Sequence, residues 1–150
     1  MKRLFVGMAA AGLLCGASAA SAQDKTLPPI SADGQASADR LMQPFFQTLQ
    51  AGDAPKAYTD LFRGTLLEQK TTDIAQLASQ TTFITTTYGA ISGWQVIESE
   101  CVTEDFCKLT YIVRAAEGPI GFWAYLYEQP DGSWKPNYVL IGTTPQFFFD

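Results

Sequence analysis

Few residues in this chain have the types and spacing to do chemistry. Histidine is absent from all 150 residues, which excludes a His-based triad, imidazole metal ligation and an imidazole pH switch. Cys101 and Cys107 are too far apart for a redox motif and too few to hold zinc, so in an oxidising compartment the pair reads as a disulfide. Three carboxylates, Glu98, Glu100 and Glu128, fall in strand-like sequence. Glu98 lacks a lysine opposite it in the register derived below and is the candidate catalytic base. Tyr111, Trp123 and Tyr125, with Asn137 on the same face, are the candidate ligand-binding set. Aromatic bodies with polar tips can line and orient a small apolar ligand, although the same residue types fill ordinary sheet cores. Serines and threonines have no partner base, and no glycine-rich phosphate loop follows a strand. No cofactor or metal is expected.

The composition bounds what could position these residues. At 47% hydrophobic and 13% aromatic, the chain can bury one domain's core, which disfavours general disorder and a multi-domain layout. Fifteen acidic against 10 basic residues give a formal charge of −5, so the cationic surface that nucleic acid demands is missing.

The N-terminus reads as an address. Lys2 and Arg3 precede an apolar stretch over residues 4–14, and Ala20-Ser21-Ala22 has the small-x-small form of a signal-peptidase site. A membrane anchor would need an apolar run of roughly 20 residues, and Leu14 is a poor fit before the cysteine of a lipoprotein signal. Residues 1–22 are therefore expected to be a cleaved signal peptide, leaving a periplasmic or secreted chain with no membrane span. Losing Lys2 and Arg3 takes the charge from −5 to −7.

Residues 23–36 contain Pro28-Pro29 and Asp33-Gly34 and read as a flexible lead-in. Residues 37–150 form one expected α+β domain. An apolar stripe of Leu41, Phe45 and Leu49 marks a first helix ending at Ala51-Gly52, with Pro44 forcing either a late start or a kink. Asp53 caps a second helix ending near Gly64, and a third runs from about Asp73 to Gly89. Threonines at 81, 82, 85, 86 and 87 weaken its local propensity, so it must depend on packing. Beyond Gly93 the period becomes alternating, and strands are expected over 94–102, 106–116, 120–129 and 133–142. Gln129-Pro130-Asp131-Gly132 is a strong hairpin turn and Glu117-Gly118-Pro119 a weaker one.

Bridging Cys101 to Cys107 across the first hairpin sets its register. Glu100 then faces Lys108, Ile97 faces Tyr111, Val96 faces Ile112, and Trp94 faces Arg114. Continued alternation groups Leu109, Tyr111, Val113, Trp123, Tyr125 and Tyr127 with Asn137 on one face, and Phe122, Ala124, Leu126 and Tyr138 on the other. Both faces are apolar. Helices can cover one; the second needs Phe147-Phe148-Phe149, a second copy of the chain in a homodimer through the sheet, or both.

Phe45 to Tyr58 (FFQTLQAGDAPKAY), Tyr88-Gly89 to Gly93-Trp94, and Trp123-Ala124-Tyr125 to Asp131-Gly132-Ser133-Trp134 resemble secreted members of the nuclear-transport-factor-2-like, or cystatin-like cone, superfamily. The resemblance spans residues 37–142 and implies three N-terminal helices packed on a curved four-stranded antiparallel sheet, with a cavity between them and frequent dimerisation through the sheet. That superfamily hosts both enzymes and non-enzymes. A non-enzymatic domain binding a small apolar ligand or a protein partner is the leading expectation. The alternative is an isomerase- or cyclase-like enzyme with a carboxylate base in the cone.

Overall fold

A computed structural model describes residues 26–149; the expected signal peptide lies outside them. Three helices come first: α1 (Ala32–Gln50), α2 (Ala54–Leu61) and α3 (Thr71–Tyr88), with a 3-10 turn at Leu66–Gln69. Four strands follow, β1 (Ile91–Thr103), β2 (Phe106–Ala115), β3 (Gly118–Glu128) and β4 (Trp134–Gly142), and a final 3-10 turn occupies Pro145–Phe147. The α+β class and the order of elements are as expected. Among the described residues no helix is long and apolar enough to cross a membrane.

The first helix starts earlier than the sequence suggests. Ser31 Oγ accepts from Gly34 N at 3.1 Å, an N-cap that opens α1 ahead of Ser37. The preceding residues are held too: Pro28 O accepts from Cys101 N at 2.8 Å, and Ile30, buried, donates its N–H to Ser99 Oγ at 3.3 Å. A proline pair lacks N–H donors but keeps its carbonyls, so it can still line the free side of β1. Pro44 lies inside α1, which continues through it.

α2 starts as expected, with Asp53 Oδ1 accepting from Lys56 N at 3.0 Å. In α3, Thr81, Thr82, Thr85 and Thr87 each donate to the carbonyl one turn back, which satisfies hydroxyls that would otherwise compete with the helix. Thr81 is fully buried and accepts from Tyr58 Oη at 2.8 Å, joining α2 to α3. Gly89, with φ of 81°, terminates α3.

The sheet is antiparallel in the order β1-β2-β3-β4. Cys101 and Cys107 are bonded at 2.05 Å, and Glu100 faces Lys108 with 2.8 Å between their charged atoms. The expected register then fails beyond Glu98. A bulge at Ile97 places Val96 opposite Tyr111 and Trp94 opposite Val113, rather than Ile112 and Arg114. One extra residue reverses the facing of everything before it. Trp94 therefore turns towards the helices and stacks on Phe46 at 5.3 Å, while the Arg114 guanidinium binds Gln95.

A second correction concerns β3. Ala115 pairs with Gly118 across a two-residue turn whose Glu117 N–H is held by Tyr88 O at 2.8 Å. Tyr111 consequently faces Phe122, and Leu109 faces Ala124. Trp123, Tyr125 and Tyr127 lie on the opposite face from Tyr111, not beside it. Pro136 pairs with Leu126 and Tyr138 with Tyr125, leaving Asn137 bulged between them and exposed.

The helix-facing side is dry. Phe46 packs 4.9 Å from Tyr111 and 5.3 Å from Phe122, with Phe45 between Tyr58 and Phe122 at 5.1 Å each. The other side is partly covered by the C-terminal segment, where Phe147 lies on Gly121 and Gly142 and its ring is 4.5 Å from Trp123. A Cβ at Gly121 would fall 2.2 Å from Phe147 Cβ.

Two tests follow from this packing. Replacing Gly121 with Ala should displace the C-terminal segment, cost about 1–3 kcal/mol and open residues near Phe147 to limited proteolysis; unchanged cleavage would contradict the contact. Replacing both bridged cysteines with Ala should lower stability in denaturant titrations by about 2 kcal/mol, as a short closed loop allows.

Candidate functional site

The sheet separates residues that simple alternation puts on one face. Tyr111 points to the helix side, and Trp123 and Tyr125 occupy the other. Each side carries its own recess.

On the helix side, a groove of about 590 Å³ lies between the N-terminal half of α1 and β1. Gln35, Asp39, Met42 and Gln43 contribute from α1, Trp94, Gln95 and Val96 from β1, and Tyr111 from β2. Residues 35, 39, 42 and 43 recur at helical spacing, which aligns them along one flank of α1. The Ile97 bulge turns Trp94 and Val96 inward. Tyr111 is 2% exposed, and its Oη has no hydrogen-bond partner. Leaving a buried hydroxyl unpaired costs about 1–3 kcal/mol. Burial pushes its phenol well above the ordinary value, and the Asp39 carboxylate pushes it further. Tyr111 therefore stays a neutral O–H, a donor to an acceptor atom. Asp39 is exposed and already accepts from Gln35 Nε2 at 2.8 Å.

On the far side, a cleft of about 360 Å³ is bounded by Ile97, Glu98, Thr110 and Trp123 and by residues 146–149. Thr110 is 3% exposed and its Oγ1 is unpaired. Its ladder partners are Glu98 on β1 and Trp123 on β3. Glu98 is exposed and lies across the sheet from Tyr111, so no single cavity unites that acid with that tyrosine. Tyr125 packs against Tyr138 at 5.9 Å, away from both recesses. Asn137 lines neither.

A further groove of about 520 Å³ runs between α2 and α3, lined by Pro55, Ile74, Ala75, Ala78 and others. It is the more apolar recess but offers no unpaired buried polar group to select a ligand. Trp134 Nε1 is also buried and unpaired, and Trp134 lines none of these three recesses. Sequence reasoning missed Asp39, Trp94 and Thr110 as lining residues. The helical spacing of 35, 39 and 43 was available as a signal; the inward turn of Trp94 was not, because nothing local announces the bulge. Among the described residues no cluster of three or more Cys, Asp or Glu could hold a metal.

The two buried phenols set an alkaline limit. Burial raises Tyr58 well above its ordinary value despite the Thr81 bond, and Tyr111 is raised likewise. Stability from groups raised in the folded state is fully present below their unfolded value, about 10, and is lost as pH climbs above it. Tyrosinate absorbance from these two should appear together with loss of near-ultraviolet dichroism, and Tyr111→Phe should move that transition to higher pH.

No protein-family model, curated protein or solved structure matches the chain.

Proposed function

We propose that the chain is an exported, non-enzymatic binding domain that holds a small, largely apolar molecule in the groove between α1 and β1. One observation carries this reading: the buried Tyr111 hydroxyl, unpaired beside a recess whose apolar wall is Met42, Val96 and Trp94 and whose polar rim is Gln35, Asp39, Gln43 and Gln95. A ligand carbonyl or ether oxygen accepting from Tyr111 would satisfy it, with the apolar body against Trp94. A neutral ligand fits best, since Asp39 repels anions. The three-helix, four-strand order supports kinship with the cystatin-like cone superfamily. Export is supported by the disulfide and by the signal-like form of residues 1–22.

For the enzymatic alternative, Glu98 is exposed, faces Thr110 and lies on the other face of the sheet from Tyr111. Association of two copies through the sheet keeps one support, the exposure of Tyr127 (41%) and Tyr138 (53%) on the outer face.

Titration with acetylnaphthalene, a neutral aryl ketone, should shift the amide resonances of Gln43 and Gln95 saturably. Tyr111→Phe should weaken it about fivefold to tenfold, the worth of one neutral hydrogen bond, while leaving the free protein as stable or more so. Absence of saturable shifts, or a Tyr111→Phe protein that is destabilised and binds as before, would refute the groove as the site.

A further inference from the structure

We infer that the cleft on the outer face of the sheet is a second binding site, selective for a small organic ammonium. The argument begins with Thr110. It stands mid-strand on β2, is 3% exposed and has an Oγ1 with no hydrogen-bond partner. Buried hydroxyls are nearly always paired, so an unpaired one lining a recess calls for a partner, which a polar group held in that recess can supply.

The neighbours define which group. Glu98, directly across the ladder, brings the cleft's carboxylate, and among the described residues no ion pair engages it. Gln146 adds an amide, and Phe147 to Phe149 add aromatic walls. An anion would be repelled by Glu98. A neutral apolar ligand would leave Thr110 Oγ1 unsatisfied. A divalent metal requires more oxygen ligands than one carboxylate and two neutral groups supply. Sugar stacking on Trp123 is blocked, because Phe147 lies 4.5 Å from that ring and Lys108 Nζ 5.1 Å from its centroid. A protonated amine suits the cleft's acceptors: its N–H bonds go to Glu98 and to Thr110 Oγ1, and its carbon skeleton meets the phenylalanines. Lys108 is on this face too, but it is paired with Glu100 at 2.8 Å. The chain's formal charge of −5 favours the approach of a cation.

The residues framing this cleft come from β1, β2, β3 and the C-terminal segment, so the site exists only once that segment is seated on Gly121 and Gly142. Occupancy and closure of the C-terminus are thus coupled.

Benzylammonium chloride and its neutral counterpart, benzyl alcohol, titrated separately into the purified protein, discriminate the possibilities. Benzylammonium should bind saturably and at least tenfold more tightly than the alcohol, shifting amide resonances of Thr110 and Phe147. Glu98→Gln should weaken it at least tenfold. Thr110→Val should weaken it severalfold without loss of thermal stability, whereas Thr110→Ser, which retains the hydroxyl, should bind as the unaltered protein does. Tyr111→Phe should have no effect on this ligand. Equal affinity for amine and alcohol, or full affinity in Glu98→Gln, would overturn the assignment, as would shifts confined to the groove between α1 and β1.

Discussion

Contact between the Phe45-Phe46 pair of α1 and the Tyr111-Phe122 pair of the sheet determines which surface of the four strands is dry. Rings at these distances contribute through area and through edge-to-face geometry. Once Tyr111 and Phe122 share a face, strict alternation dictates every other position on β2 and β3. Leu109 and Ala124 go inward; Thr110 and Trp123 go outward. The separation of the two recesses onto opposite faces descends from that pairing.

Much of the scaffold was legible because local chemistry announces it. Asp53 caps a helix, Gly89 ends one, and the Pro130-Asp131-Gly132 turn closes a hairpin through short-range geometry that a few neighbouring residues decide. The cysteine pair transmitted correct register as far as Glu98. Beyond it, information ran out at Ile97, where a bulge is stabilised by the burial of Trp94 and Val96 against α1, a long-range gain with no local signature. The Ala116-Glu117 turn is similar: Tyr88, on another element, holds it. An error of one residue in either place exchanges the two faces. The turn places Trp123 and Tyr125 on the opposite face from Tyr111, and a separate bulge on β4 takes Asn137 out of the alternation.

The candidate sites were less legible than the fold. Aromatic residues in strands could be recognised, but whether a hydroxyl is paired depends on every element that surrounds it. Tyr58 and Tyr111 show the difference. Both are buried phenols, yet the Tyr58 hydroxyl meets Thr81 from α3, while the Tyr111 hydroxyl has no hydrogen-bond partner and Tyr111 lines a groove. Composition cannot distinguish them. Asp39, which sharpens the electrostatics at Tyr111, is remote in sequence and becomes relevant only because α1 crosses the first hairpin there.

The flanks of the sheet bear on how such a chain behaves at high concentration. Strand β1 borders the sheet on one side, and the Pro28 carbonyl occupies the Cys101 amide that would otherwise invite another chain to add a strand. On the opposite border, β4 carries Pro136, which has no amide to offer, and the Asn137 bulge, which spoils the repeat. Both margins are thereby poor templates for fibrillar growth. Proteolysis on the C-terminal side of Pro28 would free the Cys101 amide on that margin.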